Sequence, residues 1–188
     1  MRPPGLALED YAYPMAITYR TLIEERTTRH VFEKAISAWS RRDLYGLLHY
    51  VDDDVTNTIN VDANVVPFAP SVYGKQAYKT KLQHILSTFN FAAYVTRHVD
   101  VSGSTARAAM MIVWVHKSSG EKLNTNFRFV VEQQDGRITR VTQYYDAAYV
   151  SSFARLISAA PALSAARCDG AADTLAPLQR PPPAQRGG

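Results

Sequence analysis

Residues 105–146, TARAAMMIVWVHKSSGEKLNTNFRFVVEQQDGRITRVTQYYD, decide the fold. Aromatic and β-branched side chains crowd three runs, Thr105 to Lys117, Leu123 to Gln134 and Ile138 to Tyr145. Such residues suit a pleated, half-buried surface. Ser118-Ser119-Gly120 and Asp135-Gly136 part the runs, and Asp-Gly between alternating hydrophobics is a strong hairpin signal. Upstream, Phe91 to Val101 has the same character and ends at Ser102-Gly103. Four strands joined by short turns make an antiparallel meander.

The pattern before this meander is helical. Phe32, Ile36 and Trp39, with Val31, Ala35 and Ala38 beside them, follow the 3.6-residue period, and Thr27 or Thr28 is placed to cap the start. A short helix opens at Asp43 with Leu44, Leu47, Leu48 and Val51 on one side, and Asp52-Asp53-Asp54 closes it. The run Val55 to Val61 reads as a strand, and Pro67 and Pro70 interrupt its continuation. After Gly74 a third helix carries Tyr78, Leu82, Ile85 and Phe89 on one face. Helices followed by a meander give an α+β class rather than a parallel doubly wound sheet. The body spans 27–157. Residues 1–26 read as a partly helical extension, with Met15, Tyr19, Leu22 and Arg26 at helical spacing, and 158–188 as a disordered tail rich in Ala, Pro and Gly.

Composition narrows the function classes. The net charge of +4 is spread without a basic stripe, which argues against nucleic acid as a partner. No run approaches the length of a membrane span. Residues 1–10 lack the layout of a secretory signal, and the single cysteine, Cys168, can form no internal disulfide. These features together predict a cytoplasmic protein.

Several strings, in order, resemble a known family. Asp43-Leu44-Tyr45-Gly46-Leu47-Leu48 and Tyr50-Val51-Asp52-Asp53-Asp54-Val55 resemble the opening of SnoaL-like and ketosteroid isomerase-like proteins of the nuclear transport factor 2-like superfamily. Tyr73-Gly74-Lys75-Gln76-Ala77 resembles that family's start of the third helix. Asn126-Phe127-Arg128-Phe129, Asp135-Gly136-Arg137-Ile138 and Gln143-Tyr144-Tyr145-Asp146 resemble its finish. The resemblance implies a cone: a strongly curved sheet wrapped around N-terminal helices, enclosing a largely apolar pocket. It also implies a homodimer through the outer sheet face and a small apolar molecule as ligand. Family members include isomerases, polyketide cyclases, dehydratases and epoxide hydrolases, so fold alone does not fix function. The family's isomerase positions fall on Thr58, Thr125 and near Ala35, none of which carries the required acid, base or phenol.

The candidate site residues follow from this frame. Thr56, Thr58, Asn60 and Asp62 share one face of the first strand; either this polar row or Val55, Ile59 and Val61 point inward. His116, at the end of a strong strand, is a candidate general acid or base or a rim residue facing water. Asp146 is a candidate base or a cap for residues 147–153, with Gln143 and Tyr145 facing inward beside it. Arg128 faces either the cavity or the outer sheet face. Trp114, in the row Met110, Ile112, Trp114, reads as core bordering the pocket, and Phe68 or Tyr73 is placed to cover the opening. His30, His49, His84 and His98 form no metal-binding pattern, and no nucleophile elbow or phosphate-cradling glycine loop occurs. The expectation is a cofactor-independent acid–base enzyme built on His116, Asp146 and Tyr145, or a non-catalytic ligand-binding or dimerisation module.

Overall fold

A helix of 32 residues, α1 (Glu9–Ser40), begins the computed structural model, which describes residues 9–169. The expected start at Thr27 or Thr28 is not a boundary: no Gly or Pro interrupts residues 15–40, and the helix runs through unbroken. At 1.5 Å per residue it is about 48 Å long. Val31, Phe32, Ala35, Ala38 and Trp39 form its buried stripe, whereas Tyr19, Leu22 and Ile23 stay exposed. The chain then reverses at Arg42, whose φ of 64° is the left-handed conformation common just past a helix end. Asp43 caps α2 (Leu44–His49) by accepting from Gly46 N–H at 2.8 Å. A Cβ on Gly46 would lie 2.2 Å from that carboxylate, so a larger residue there would push the capping side chain aside.

Six strands follow: β1 (Val51–Ile59), β2 (Val72–Tyr73), β3 (Phe89–Ser102), β4 (Thr105–His116), β5 (Lys122–Gln134) and β6 (Arg137–Tyr145). Helix α3 (Lys75–Thr88) lies between β2 and β3, and α4 (Ala147–Asp169) ends the described chain. The sheet order is β2-β1-β6-β5-β4-β3, an open, curved, mixed sheet in which β1 alone runs parallel to its neighbour β6. The class is α+β, as the meander implied. Three local details differ from expectation. Asp52-Asp53-Asp54 belongs to β1 rather than to the end of α2. Phe89 turns out of α3 into extended backbone and starts β3. Helix α4 continues to Asp169, past the boundary expected at 157, while 1–8 and 170–188 lie outside the described residues.

The concave face is filled by alternation along the strands. Ala108 pairs with Phe129 and Met110 with Phe127, and the small partner leaves room for Phe32 of α1, whose ring lies 6.1 Å from Phe129. Where α1 enters, a polar knot replaces apolar contact. The buried Thr28 hydroxyl lies 2.8 Å from both the Glu24 and Gly103 carbonyls. Buried Gln133 donates to that hydroxyl at 2.9 Å and accepts from Gly136 N–H at 2.9 Å. The helix is thereby tied to the β3–β4 and β5–β6 turns. No described helix is long and apolar enough to cross a membrane.

Thr28→Val keeps the shape but removes the hydroxyl that Gln133 needs. Leaving buried groups unpaired costs about 1–3 kcal/mol. Urea unfolding should show a loss of that size; an unchanged midpoint would refute the knot's role.

Candidate functional site: an aromatic cavity inside the cone

Between α1, α2, α3 and the concave sheet lies a cavity of about 30 Å³. That is room for a water molecule, against ~300–1,000 Å³ for a drug-sized ligand's pocket. Rings fill the remaining space. Trp39 packs edge-on to Phe91 at 5.1 Å, and Phe91 stacks on Trp114 at 5.2 Å with 9° between planes. Phe127 stacks on Tyr145 at 4.6 Å and 14°. Phe68 stands against Trp114 at 6.1 Å and 70°.

Of the residues singled out in the sequence, Phe68, Trp114, Gln143 and Tyr145 line this cavity. The Tyr145 hydroxyl donates to Gln143 Oε1 at 3.2 Å. The first-strand row has the opposite orientation from the polar-inward reading. Val55 and Asn57 are the buried positions, and Thr58 faces its β6 partner Thr142, with hydroxyl oxygens 3.4 Å apart. The parallel register causes this, since it sets Asn57 beside Val141, a core position. Asp62 is exposed and accepts from Asn64 N–H in a turn. Asn60 lies outside the lining yet acts on it. Its amide donates to the Tyr145 carbonyl at 3.1 Å and its carbonyl accepts from Tyr145 N–H at 2.6 Å, extending the ladder beyond Ile59.

The other candidates sit elsewhere. Tyr73 is 67% exposed and donates to Asp54 at 3.2 Å rather than covering the opening. Arg128 is on the convex face, its guanidinium 5.6 Å from the Tyr144 ring. Asp146 caps α4, accepting from Tyr149 N–H at 3.0 Å. His116 shares the concave side of β4 with Trp114 by alternation but lies beyond the lining. Its Nδ1 is 2.8 Å from Ser119 Oγ and its ring 5.7 Å from Phe89.

Three residues escaped sequence reasoning. Tyr78 was read as helix core, but its phenol lines the cavity. Tyr94 was hidden by parity: the register shifts between Phe91 and Ala93, so Phe91 and Tyr94 both pair with inward positions, Trp114 and Ile112. Burial pushes the phenols of Tyr78, Tyr94 and Tyr145 above their ordinary value, with mutual repulsion adding for Tyr94 and Tyr145. All three are therefore neutral near pH 7. Lys81, buried on α3, donates to Asn57 Oδ1 at 2.5 Å and to the Pro70 carbonyl at 2.9 Å. A lysine one position before Leu82 on an apolar helix face was the available signal. No lining residue is an acid, a base or a histidine. Among the described residues, no group of three or more His, Cys, Asp or Glu is placed to hold a metal.

The family model described as "SnoaL-like domain" matches residues 32–141. No curated protein sequence matches the chain. Solved structures share the fold at low identity. A nuclear transport factor 2-like protein from Burkholderia xenovorans LB400 superposes with a TM-score of 0.61 at 16% identity, over 68% of this chain and 95% of that one. TerC, co-crystallised with polyporic acid, gives 0.62 at 15% identity over 69% and 98%. An LEH-like epoxide hydrolase of M. tuberculosis gives 0.58 at 17% identity over 72% and 96%.

Lys81 supplies a test of the packing beneath this site. Desolvation lowers its pKa from 10.5 to about 8. Below pH 8 the amine is charged in both folded and unfolded chains, and the full cost of burying the charge applies. As pH rises from 8 towards 10.5, the folded chain sheds a proton that the unfolded chain keeps, so stability rises with pH. Relative to Lys81→Met, the wild type should therefore gain stability between pH 7.5 and 10 in denaturant titrations. A flat difference would show that the amine is hydrated.

Proposed function

The chain belongs to the SnoaL-like domain family, and from that membership we propose that it binds a small, flat, mostly apolar molecule in the aromatic cavity. The observation that carries this reading is the lining itself: apolar and aromatic walls with one polar pair, Gln143 and Tyr145, and no charged side chain. Sites for small ligands are concave and largely apolar with a few placed polar groups. The cavity has to widen to admit such a ligand. Phe68 is the lining residue that lies outside the helices and strands, so we assign the widening to it.

A cofactor-independent enzyme on the same scaffold, assigning acid–base work to His116, Asp146 and Tyr145, is the second reading. The epoxide hydrolase among the fold relatives favours it. Tyr145 is the one of the three that lines the cavity, and its neutral phenol is a hydrogen-bond donor rather than a base. Binding is accordingly the primary reading.

Both tryptophans of the chain, Trp39 and Trp114, line the cavity, so their indole N–H resonances report on it directly. Titration with indane, a rigid bicyclic hydrocarbon, should move these resonances saturably at one molecule per chain. No shift up to the solubility limit of indane would overturn the binding reading.

The proposed partner is a second copy of the chain, docked on the convex face. Val95 and Tyr144 are exposed there, and Met111, Val113 and Val130 are half-buried, an apolar surface of the kind that marks interfaces. Sedimentation at micromolar concentration should give a species near twice 20.9 kDa; a 20.9 kDa species alone would refute it.

A further inference from the structure

Helix α1 changes its apolar side at Thr28. From Val31 to Trp39 its buried residues face the concave sheet. Ahead of Thr28, at roughly 100° per residue, Tyr19, Leu22, Ile23 and Arg26 share an arc on the opposite side of the helix. Exposure agrees: Tyr19 is 68%, Leu22 53% and Ile23 48% exposed. The flank turned towards the body is the polar one. Arg20, Glu24 and Thr27 border an open groove of about 830 Å³, across from Gln134 and Asp135 of the β5–β6 turn. The bonds of Thr28 to Gly103 and Gln133 hold the helix at these turns, and its direction carries residues 9–19 about 16 Å past them.

A helix in water is held mainly by the packing of its apolar face, and short isolated helices are marginal. Pro14 removes one backbone hydrogen bond from the stretch and weakens it further. The packing for this arc therefore has to come from outside the domain. Residues 170–188 have little to offer, since Leu175 and Leu178 are their large apolar side chains. An acidic lipid surface calls for a basic helix. Residues 1–29 instead carry four arginines, Arg2, Arg20, Arg26 and Arg29, against four acids, Glu9, Asp10, Glu24 and Glu25. That balance suits the helix itself. Glu9 and Asp10 stand at one end of the segment, Arg26 and Arg29 at the other.

We infer that α1 from residue 9 to Arg29 is an interaction surface whose partner is the same segment of a second copy, lying antiparallel. A twofold axis between Thr18 and Tyr19 sets Glu9 and Asp10 of one copy level with the stretch between Arg26 and Arg29 of the other. Met15 then falls level with Leu22, and Glu24 and Glu25 with Tyr13 and Ala12, so no like charges meet. The opposed helix dipoles add to the attraction. Parallel pairing would set every charged residue level with its own copy, acid by acid and arginine by arginine. The contact is isologous, as in most two-chain assemblies. It lies apart from the convex sheet face, whose pairing it neither requires nor excludes.

Spin labels test this. Arg20→Cys and Glu33→Cys, both at exposed positions, are each made in the full chain with Cys168→Ser and labelled with a nitroxide. Distances between copies are read by pulsed electron double resonance at sub-millimolar concentration. Labels at position 20 should lie within about 20 Å of each other, because packed helix axes are about 8–10 Å apart. Labels at position 33 should stand about 43 Å apart along the pair. Short distances at both positions would mean parallel pairing and overturn the inference. An arc covered by residues 170–188 or by another protein gives no distance between copies at position 20, and that outcome overturns it too. Leu22→Glu with Ile23→Glu should abolish the short distance and leave the thermal midpoint nearly unchanged, because both residues are exposed. A short distance that persists in this double variant would place the contact elsewhere and refute the assignment. Leu22→Ser takes its place should the double variant not fold.

Discussion

The parallel pairing of β1 with β6 is the constraint on which the rest of the molecule depends. Every other neighbour in the sheet is antiparallel, and β3 to β6 are joined by short turns. β1 instead arrives from the helical half of the chain and must find β6 across some eighty residues. Its register fixes Asn57 against Val141, and hence the buried acceptor that receives Lys81 of α3. The same register ends the ladder at Ile59, where Asn60 takes over with side-chain bonds to both backbone groups of Tyr145. The backbone of Tyr145 is therefore held in part by the residue that follows β1, a strand that contributes nothing to the cavity wall.

Much of the architecture was legible because it rests on local chemistry. Asp135-Gly136 turns where the chain needs positive φ, and both residues adopt it, at 51° and 76°. The stripe from Val31 to Trp39 is amphipathic at helical spacing and packs as such. The misreadings share another cause, which is dependence on partners distant in sequence. Val55 to Asp62 alternates a polar row, Thr56, Thr58, Asn60 and Asp62, with a mostly apolar one, and a polar row suits a pocket wall as well as a solvated face; the β6 register decides. Tyr94 depends on one unpaired residue in β3, and an unpaired residue leaves no mark in composition. Asp146 and Asn60 have residue types equally suited to catalysis and to capping. Geometry makes the first an end cap and the second a backbone clamp.

The cavity is small because aromatic rings occupy the space between the helices and the concave sheet. Trp39, Phe91 and Trp114 form one contiguous set, and Tyr94, Phe127 and Tyr145 another, the two meeting where Phe91 stacks with Tyr94 at 6.2 Å. Phenols and an indole in such a set are costly unless their polar ends are used, since an apolar residue of similar size would fill the space without leaving donors unpaired. One polar atom, Gln143 Oε1, accepts from this collection.

Helix α1 is anchored in two chemically different ways along its length. Near Thr28 it is held by hydrogen bonds to Gln133 and Gly103; eleven residues further on, Trp39 meets the rings at the cavity. About 16 Å of helix separates the two contacts. Substitutions at the ring end are thus made without disturbing the bonds that orient the helix, and those bonds set the direction from which any new ring approaches. A scaffold with that separation can change what it holds while keeping its shape. Solved relatives that superpose over more than nine-tenths of their own length at about one residue in six identical are the outcome such an arrangement permits.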